Sequence, residues 1–389
     1  MGVDDVIPAA ATNRWGDTVA SPRPAGPEII GGTSMRIVIT GASGNVGTAL
    51  LRILPAEHDV VGVVRRPPAP QGVYHRADWC ALDLTGPGGI ADLRRVFEGA
   101  EVVVHLAWGF QPTRDTRYLT QLGVGGTAAV LQASHASGVG QLVHMSSVGT
   151  YASGSYGKRV DETWPTTGIE SSPYSRDKSA AETLLDEYEQ RLGSAAIPVA
   201  RMRPGFILQR AAASGLMRYG LPEYIPMQLV PLLPLLPLDR RLCIPLVHAD
   251  DVAQAISQVI ERRAAGPFNL AAEPPIGRDD VAAVLGARSV HIPSGLLGTL
   301  VDLSWRARLQ HIDRGWIDLA FTVPLLDCSR ARTDLGWTPK WTSTEALADL
   351  LEGVAQQTYT ESAPLRQRSM LDLLRRDLTE GLISSRRLP

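Results

Sequence analysis

Short apolar, β-branched runs recur along the chain, with helical patterns between them. Arg36 to Thr40 (RIVIT), Val60 to Val64 (VVGVV), Val102 to Leu106 (VVVHL) and Leu142 to Met145 (LVHM) read as strands buried on both faces. Val46 to Leu54, Ile90 to Phe97, Tyr118 to Ser134 and Tyr174 to Leu192 read as helices. This alternation predicts an α/β fold, a Rossmann-type doubly wound parallel sheet with a smaller, mostly helical C-terminal substrate lobe. After Arg203 the pattern turns to Pro-rich loops and scattered helices, returns to a strand at Ile244 to Val247, and gives a helix over Asp250 to Glu261.

The divisions follow from these shifts. Residues 1–34, rich in Ala, Pro, Gly and Thr, read as a flexible N-terminal extension, and Met35, directly before the first strand, is a candidate start. Residues 35–208 form the sheet domain, completed by about 244–271; residues 209–243 and 272–357 form the lobe; residues 358–389 are a tail in which Asp372 to Leu382 has the pattern of a short amphipathic helix, solvated or dimer-contacting.

Composition narrows the class. The 389 residues are 44% hydrophobic and 20% charged, as in a globular protein with an ordinary core. Thirty-eight basic residues against 40 acidic ones leave a net charge of -2, which argues against nucleic acid as the main partner. Three cysteines, Cys80, Cys243 and Cys328, offer neither a disulfide framework nor a zinc pair and suit a reducing cytoplasm. No apolar run reaches the about 18 residues of a membrane span, and no signal-peptide pattern begins the chain. The greasy segment Leu229 to Leu238 (LVPLLPLLPL) lacks backbone donors at Pro231, Pro234 and Pro237, so stable membrane insertion is not expected there. Leu229, Val230, Leu232 and Leu233 are instead expected to roof a substrate pocket, or else to pack the lobe's own core or a subunit interface.

The first chemical motif is Thr40-Gly41-Ala42-Ser43-Gly44-Asn45-Val46-Gly47, which follows a strand and opens a helix. Glycines at 41, 44 and 47 permit a tight turn, close approach of amides to a pyrophosphate, and helix-on-strand packing. Ser43, Asn45 and Val46 share this cofactor-binding turn. At the end of the second strand stand Arg65 and Arg66, where an acid would bond the ribose of NAD and an arginine would pair with the 2'-phosphate of NADP; the expectation is NADP over NAD. The alternative is a pair of solvated loop arginines.

The second motif is Tyr174-Ser175-Arg176-Asp177-Lys178, the chain's single Tyr-x-x-x-Lys. Four residues apart on a helix, the Lys178 ammonium can sit near the Tyr174 phenol and lower its pKa, making it a proton donor and acceptor near neutrality. Upstream, Ser146-Ser147-Val148-Gly149-Thr150-Tyr151 ends a central strand, where a hydroxyl can face the crevice in which such sheets bind ligands.

Together with His105-Leu106-Ala107 and Arg203-Pro204-Gly205, these motifs resemble the short-chain dehydrogenase/reductases, in the extended branch, the NAD-dependent epimerase/dehydratase group. PLVHADDVA at Pro245 to Ala253, Phe268-Asn269-Leu270 and Asp334-Leu335-Gly336-Trp337 carry the resemblance onward, from about Met35 to Trp341. It implies a catalytic Ser147, Tyr174 and Lys178, with Ser147 chosen over Ser146 for its spacing from Tyr151. It implies that Asp83 and Leu84 lie at the adenine, that Ala107, Arg203, Pro204 and Gly205 line the nicotinamide, and that Tyr174 and Lys178 contact the cofactor too. Two departures stand out. Gly123 takes the place of a proton-relay asparagine, and Arg203-Pro204-Gly205-Phe206-Ile207-Leu208-Gln209 lacks the asparagine of nucleotide-sugar enzymes. His105, His144 and His248 are read as structural, and no metal is expected.

The resulting expectation is an NAD(P)-dependent oxidoreductase that transfers hydride to or from a carbonyl or alcohol of a small, fairly apolar substrate. The alternatives are a nucleotide-sugar epimerase/dehydratase and, from another class, a non-catalytic NAD(P)-sensing regulator. A homodimer is left open.

Overall fold

The structure is a computed structural model that describes residues 34–366, apart from 87, 111, 113, 214, 216–233, 308 and 311. The readings placed on residues 1–33, on Leu229, Val230, Leu232 and Leu233, and on Asp372 to Leu382 therefore lie outside the described residues.

The apolar runs form the centre of a seven-stranded sheet. In chain order its framework is β1 (Arg36–Thr40), α1 (Asn45–Ile53), β2 (Asp59–Val64), β3 (Asp78–Ala81), α2 (Gly89–Phe97), β4 (Val102–His105), α3 (Thr116–Thr120), α4 (Gly126–Ala136), β5 (Gln141–Met145), α5 (Pro173–Leu192), β6 (Val199–Pro204), α6 (Ala249–Arg262) and β7 (Gly266–Leu270). The strands lie in the order β7-β6-β5-β4-β1-β2-β3, and every pairing is parallel. In β1, Ile37 and Ile39 face one core with Leu50, Ile256 and Phe268, while Val38 faces the other with Phe97, Val103 and Leu142. Burial on both faces explains why these strands read as unbroken apolar runs instead of alternating ones. Strand order reverses between β1 and β4, which opens a crevice at their carboxyl ends.

Three elements differ from the sequence expectation. The helix expected over Tyr118 to Ser134 is divided by a π-helical turn, Gln121–Gly125, between α3 and α4. The strand expected at Ile244 to Val247 stays out of the main sheet: Leu246–His248 pairs in parallel with Phe206–Leu208, and the seventh strand is Gly266–Leu270. The chain leaves the sheet at Gly205, where an added Cβ would lie 2.3 Å from the Pro245 carbonyl oxygen. The short strand β3 (DWCA) lacks the β-branched run that marks the central strands and was not expected from the sequence.

Beyond the sheet, the helices α7 (Arg278–Leu285), α8 (Ser294–Arg306), α9 (Arg314–Thr322), α10 (Ser329–Leu335) and α11 (Ser343–Ala355) build the C-terminal part. A third core joins Leu208, Leu246, Ile276, Leu350 and Val354. After α11 the chain folds back: Leu365 is buried, and the Tyr74 hydroxyl donates to Thr360 Oγ1 at 2.7 Å. Among the described residues no helix is long and apolar enough to cross a membrane.

Candidate functional site

The glycine turn lies at the crevice. Gly41 has φ +73°, in the left-handed region that favours glycine, and a Cβ there would meet the Ala107 amide nitrogen at 2.7 Å. A Cβ on Gly47 would lie 2.4 Å from the Ala42 carbonyl oxygen, so α1 packs onto the turn with no room for a larger residue. Two cavities meet here, of about 270 and 170 Å3, sharing Gly41, Gly44, Leu106 and Trp108 as walls. They form one groove. Its larger part adds Asn45, Val46, Gly47, Ser147, Tyr174, Lys178, Pro204 and Gly205; its smaller part adds Ser43, Arg65, Arg66, Leu84 and Ala107. A groove walled by bare backbone at the amino end of a helix fits a dinucleotide pyrophosphate.

Two expected cofactor contacts fall elsewhere. Asp83 accepts from the Thr85 amide at 2.9 Å and hydroxyl at 2.8 Å, holding its own turn, and is not among the groove walls. Arg203 is buried at 4% exposure, with its Nε donating to Glu182 Oε1 at 2.8 Å and its Nη1 to the Tyr151 hydroxyl at 3.0 Å. It is a structural cation; only Pro204 and Gly205 of that trio reach the groove.

The reactive side chains come from β5 and α5. Ser172 caps α5 and Pro173 follows at its first position, a sequence that starts a helix sharply. Tyr174, Lys178 and Glu182 then share one face at spacings of four. Ser146 donates to Glu182 Oε1 at 2.6 Å, in the buried network with Arg201 and Arg203, whereas Ser147 Oγ accepts from the Gly149 amide at 3.0 Å and lines the larger cavity together with Tyr174. Adjacent serines thus serve opposite sides of the strand. Burial raises the Glu182 carboxyl, but the Arg203 and Arg201 guanidiniums outweigh it and hold the group below its ordinary value.

The Tyr174 phenol is pushed up to about 12 by burial, against the lowering effect of Ser147. The expected low phenol pKa is corrected here. The Lys178 ammonium, 2% exposed, donates to the Met145 carbonyl at 2.7 Å and lies 3.4 Å from the centre of the Trp108 ring. Burial holds Lys178 well below the usual lysine range, with Glu182 opposing. Phe110 and Trp316, which sequence reasoning missed, enclose Tyr174: Phe110 edge-on at 5.0 Å and Trp316 stacked at 5.7 Å between ring centres. Nothing in their local sequence marks them, since loop and α9 meet the phenol only through the tertiary fold.

The histidines are tied into the frame. Thr127 donates to the Gly123 carbonyl at 2.7 Å, so His105 Nε2 donates to Thr127 Oγ1 at 3.2 Å and Nδ1 accepts from Thr40 Oγ1 at 2.7 Å. Burial, with Lys178 nearby, brings His105 down to about 3. His248 contacts Asp349 at 3.3 Å and stacks on Trp341.

A model of the NAD dependent epimerase/dehydratase family matches residues 37–205. An uncharacterized protein of Mycobacterium tuberculosis is 26% identical over 351 residues, 87% of this chain and 33% of that protein. The chain thus spans about a third of the length of the first curated relatives it matches. L-arabinose 1-dehydrogenase (NAD(P)(+)) of Haloferax volcanii is 27% identical over 183 residues, 44% of this chain and 67% of that one. A UDP-glucuronic acid 4-epimerase of Bacillus cereus, solved with UDP-glucuronic acid and NAD, superposes with a TM-score of 0.63 at 18% identity, covering 83% of this chain and 100% of its own.

These structures overturn the expected preference for NADP, because the solved relatives in complex with a dinucleotide hold NAD. Arg65 and Arg66 do line the smaller cavity, but they are exposed and Arg65 Nη1 donates to the Tyr118 hydroxyl at 3.1 Å, so a basic pair at this strand end does not by itself demand a 2'-phosphate.

Proposed function

Residues 37–205 belong to the NAD dependent epimerase/dehydratase family, and from that premise we propose that the chain is an NAD-using enzyme that oxidises and re-reduces a hydroxyl-bearing carbon of a nucleotide-linked sugar, as an epimerase or dehydratase. The observation that carries this reading is the groove that runs from the glycine turn to Ser147, Tyr174 and Lys178. UDP-sugars with NAD in solved relatives of this fold support the substrate class.

The turn at Gly41, Gly44 and Gly47 and the start of α1 would hold the pyrophosphate, and Lys178 the nicotinamide ribose. Bound NAD supplies a hydride acceptor and donor. Ser147 orients the reacting oxygen. Tyr174 takes the hydroxyl proton as the carbon loses hydride, and gives it back on reduction. With its phenol pushed up to about 12, Tyr174 keeps its proton at neutral pH and is set as the donor. To act as acceptor it needs a cation nearby, and Lys178 is the one basic side chain among the described walls of the larger cavity.

A second reading, net oxidoreduction of a fairly apolar alcohol or carbonyl, is favoured by the Phe110 and Trp316 rings around Tyr174 and by Phe206, Ile207, Leu208 and Leu319 in the cavity wall. Incubation with NAD and UDP-glucose, UDP-galactose or UDP-glucuronate, and separately of NAD with free sugars or alcohols, separates the two. A new nucleotide sugar without net NADH supports the first reading, and accumulating NADH supports the second. No product from any of these substrates would overturn both.

A further inference from the structure

The place of the expected relay asparagine is filled in an unexpected way. Gly123 lies in the π-helical turn, and a Cβ on it would lie 2.8 Å from Trp108 Cζ2 and 2.9 Å from Cη2. Both are atoms of a rigid ring, so no larger residue fits at 123 unless the indole moves. The same indole presents its face to Lys178, whose nitrogen lies 3.4 Å from the ring centre, and packs edge-on to Tyr174 and His144, each at 6.5 Å between ring centres. The Gly123 carbonyl is already taken by Thr127.

An ammonium has three donor directions. One goes to the Met145 carbonyl and a second meets the Trp108 face, which attracts a cation most strongly when the site is dry. One direction remains for a hydroxyl in the groove. We infer that Trp108 is a positioning residue for Lys178: seated in the space that Gly123 leaves, its ring holds the ammonium beside Tyr174 and aims it at the groove. Trp108 and Gly123 act as one device, because the ring can take this place only over a glycine. The role toward the dinucleotide rests on the function proposed above; the hold of ring on ammonium does not.

The chain has three lysines, and Lys158 and Lys340 are both exposed, so Lys178 can be followed alone. In the full chain carrying 13C at the lysine ε-carbon, ring current from Trp108 should displace the Lys178 NMR signal upfield of the other two. Trp108→Leu should abolish the displacement and Trp108→Phe keep part of it. Gly123→Ala should mimic Trp108→Leu by pushing the ring aside. Gly125→Ala, whose Cβ would meet only Gln121 Cγ at 3.9 Å, should leave the signal in place and so controls for helix propensity. The Lys178 signal should titrate at lower pH in Trp108→Leu, with His105 on β4, His144 on β5, and Tyr174 and Glu182 on α5 unchanged around it. NAD affinity should fall about tenfold in Trp108→Leu and less in Trp108→Phe. An unshifted wild-type signal, a signal indifferent to Trp108→Leu, or equal effects of Gly123→Ala and Gly125→Ala would each overturn the inference. Failure of the wild-type protein to bind NAD would instead overturn the proposed function, with the NMR result standing by itself.

Discussion

A phenol that keeps its proton through the neutral range makes Tyr174 the residue on which the proposed chemistry turns. Tyr174→Phe removes one hydroxyl and leaves the contacts with Phe110 and Trp316, so folding and NAD binding should persist while turnover falls about 100-fold or more. Single-turnover measurement on a proven substrate checks this, and near-normal turnover would contradict the assignment. Buried histidines add a pH dependence. Burial, followed by the charge of Lys178, lowers both His105 and His144, and among the described residues His144 finds no hydrogen-bond partner at either ring nitrogen. An unfolded chain protonates them near about pH 6.5, whereas folded His105 waits until about 3, so the unfolded state binds more protons between those values. Stability should therefore fall as pH drops through that window, by about 1.4 kcal/mol per pH unit for His105, with His144 acting in the same direction. His144→Leu, which removes no hydrogen bond, should make the urea midpoint less sensitive to pH; an unchanged slope would count against the buried neutral state.

Helix α5 shows what a single sequence can and cannot tell. Its course from Tyr174 to Leu192 and its Tyr-x-x-x-Lys face were legible because helix geometry puts residues four apart together, while the cap at Ser172 and the start at Pro173 came only with the structure. Glu182 continues that face, yet its role was hidden, because its partners Arg201 and Arg203 come from β6 and meet it only through sheet packing. Arg203 was misassigned for the same reason. The central strands were legible because both faces are buried, whereas β3, with mixed residues at the sheet edge, was not. The π-helical turn was legible only as a cluster of glycines. Glu182→Ala should leave two buried guanidiniums short of their shared carboxylate and cost about 3–5 kcal/mol in urea unfolding. A loss below about 1 kcal/mol, the scale of a surface pair, would mean that water enters to replace it.

Across the molecule, the groove is walled in part by residues near the end of the described chain. Ala363, Pro364 and Leu365 are walls of the two cavities that also hold the glycine turn, and Thr360 is fastened to Tyr74. A dinucleotide in that groove would be bounded by the glycine turn and by residues 363–365, so its release is expected to depend on how firmly residues 359–366 are held. A long residence time suits an enzyme that regenerates NAD within each cycle, and it burdens one that must exchange NADH for NAD at every turnover. The full chain should therefore carry NAD through purification, released only on denaturation, and Tyr74→Phe should shed it faster by loosening the Thr360 anchor. Equal dissociation rates in the two proteins would show that the groove opens elsewhere.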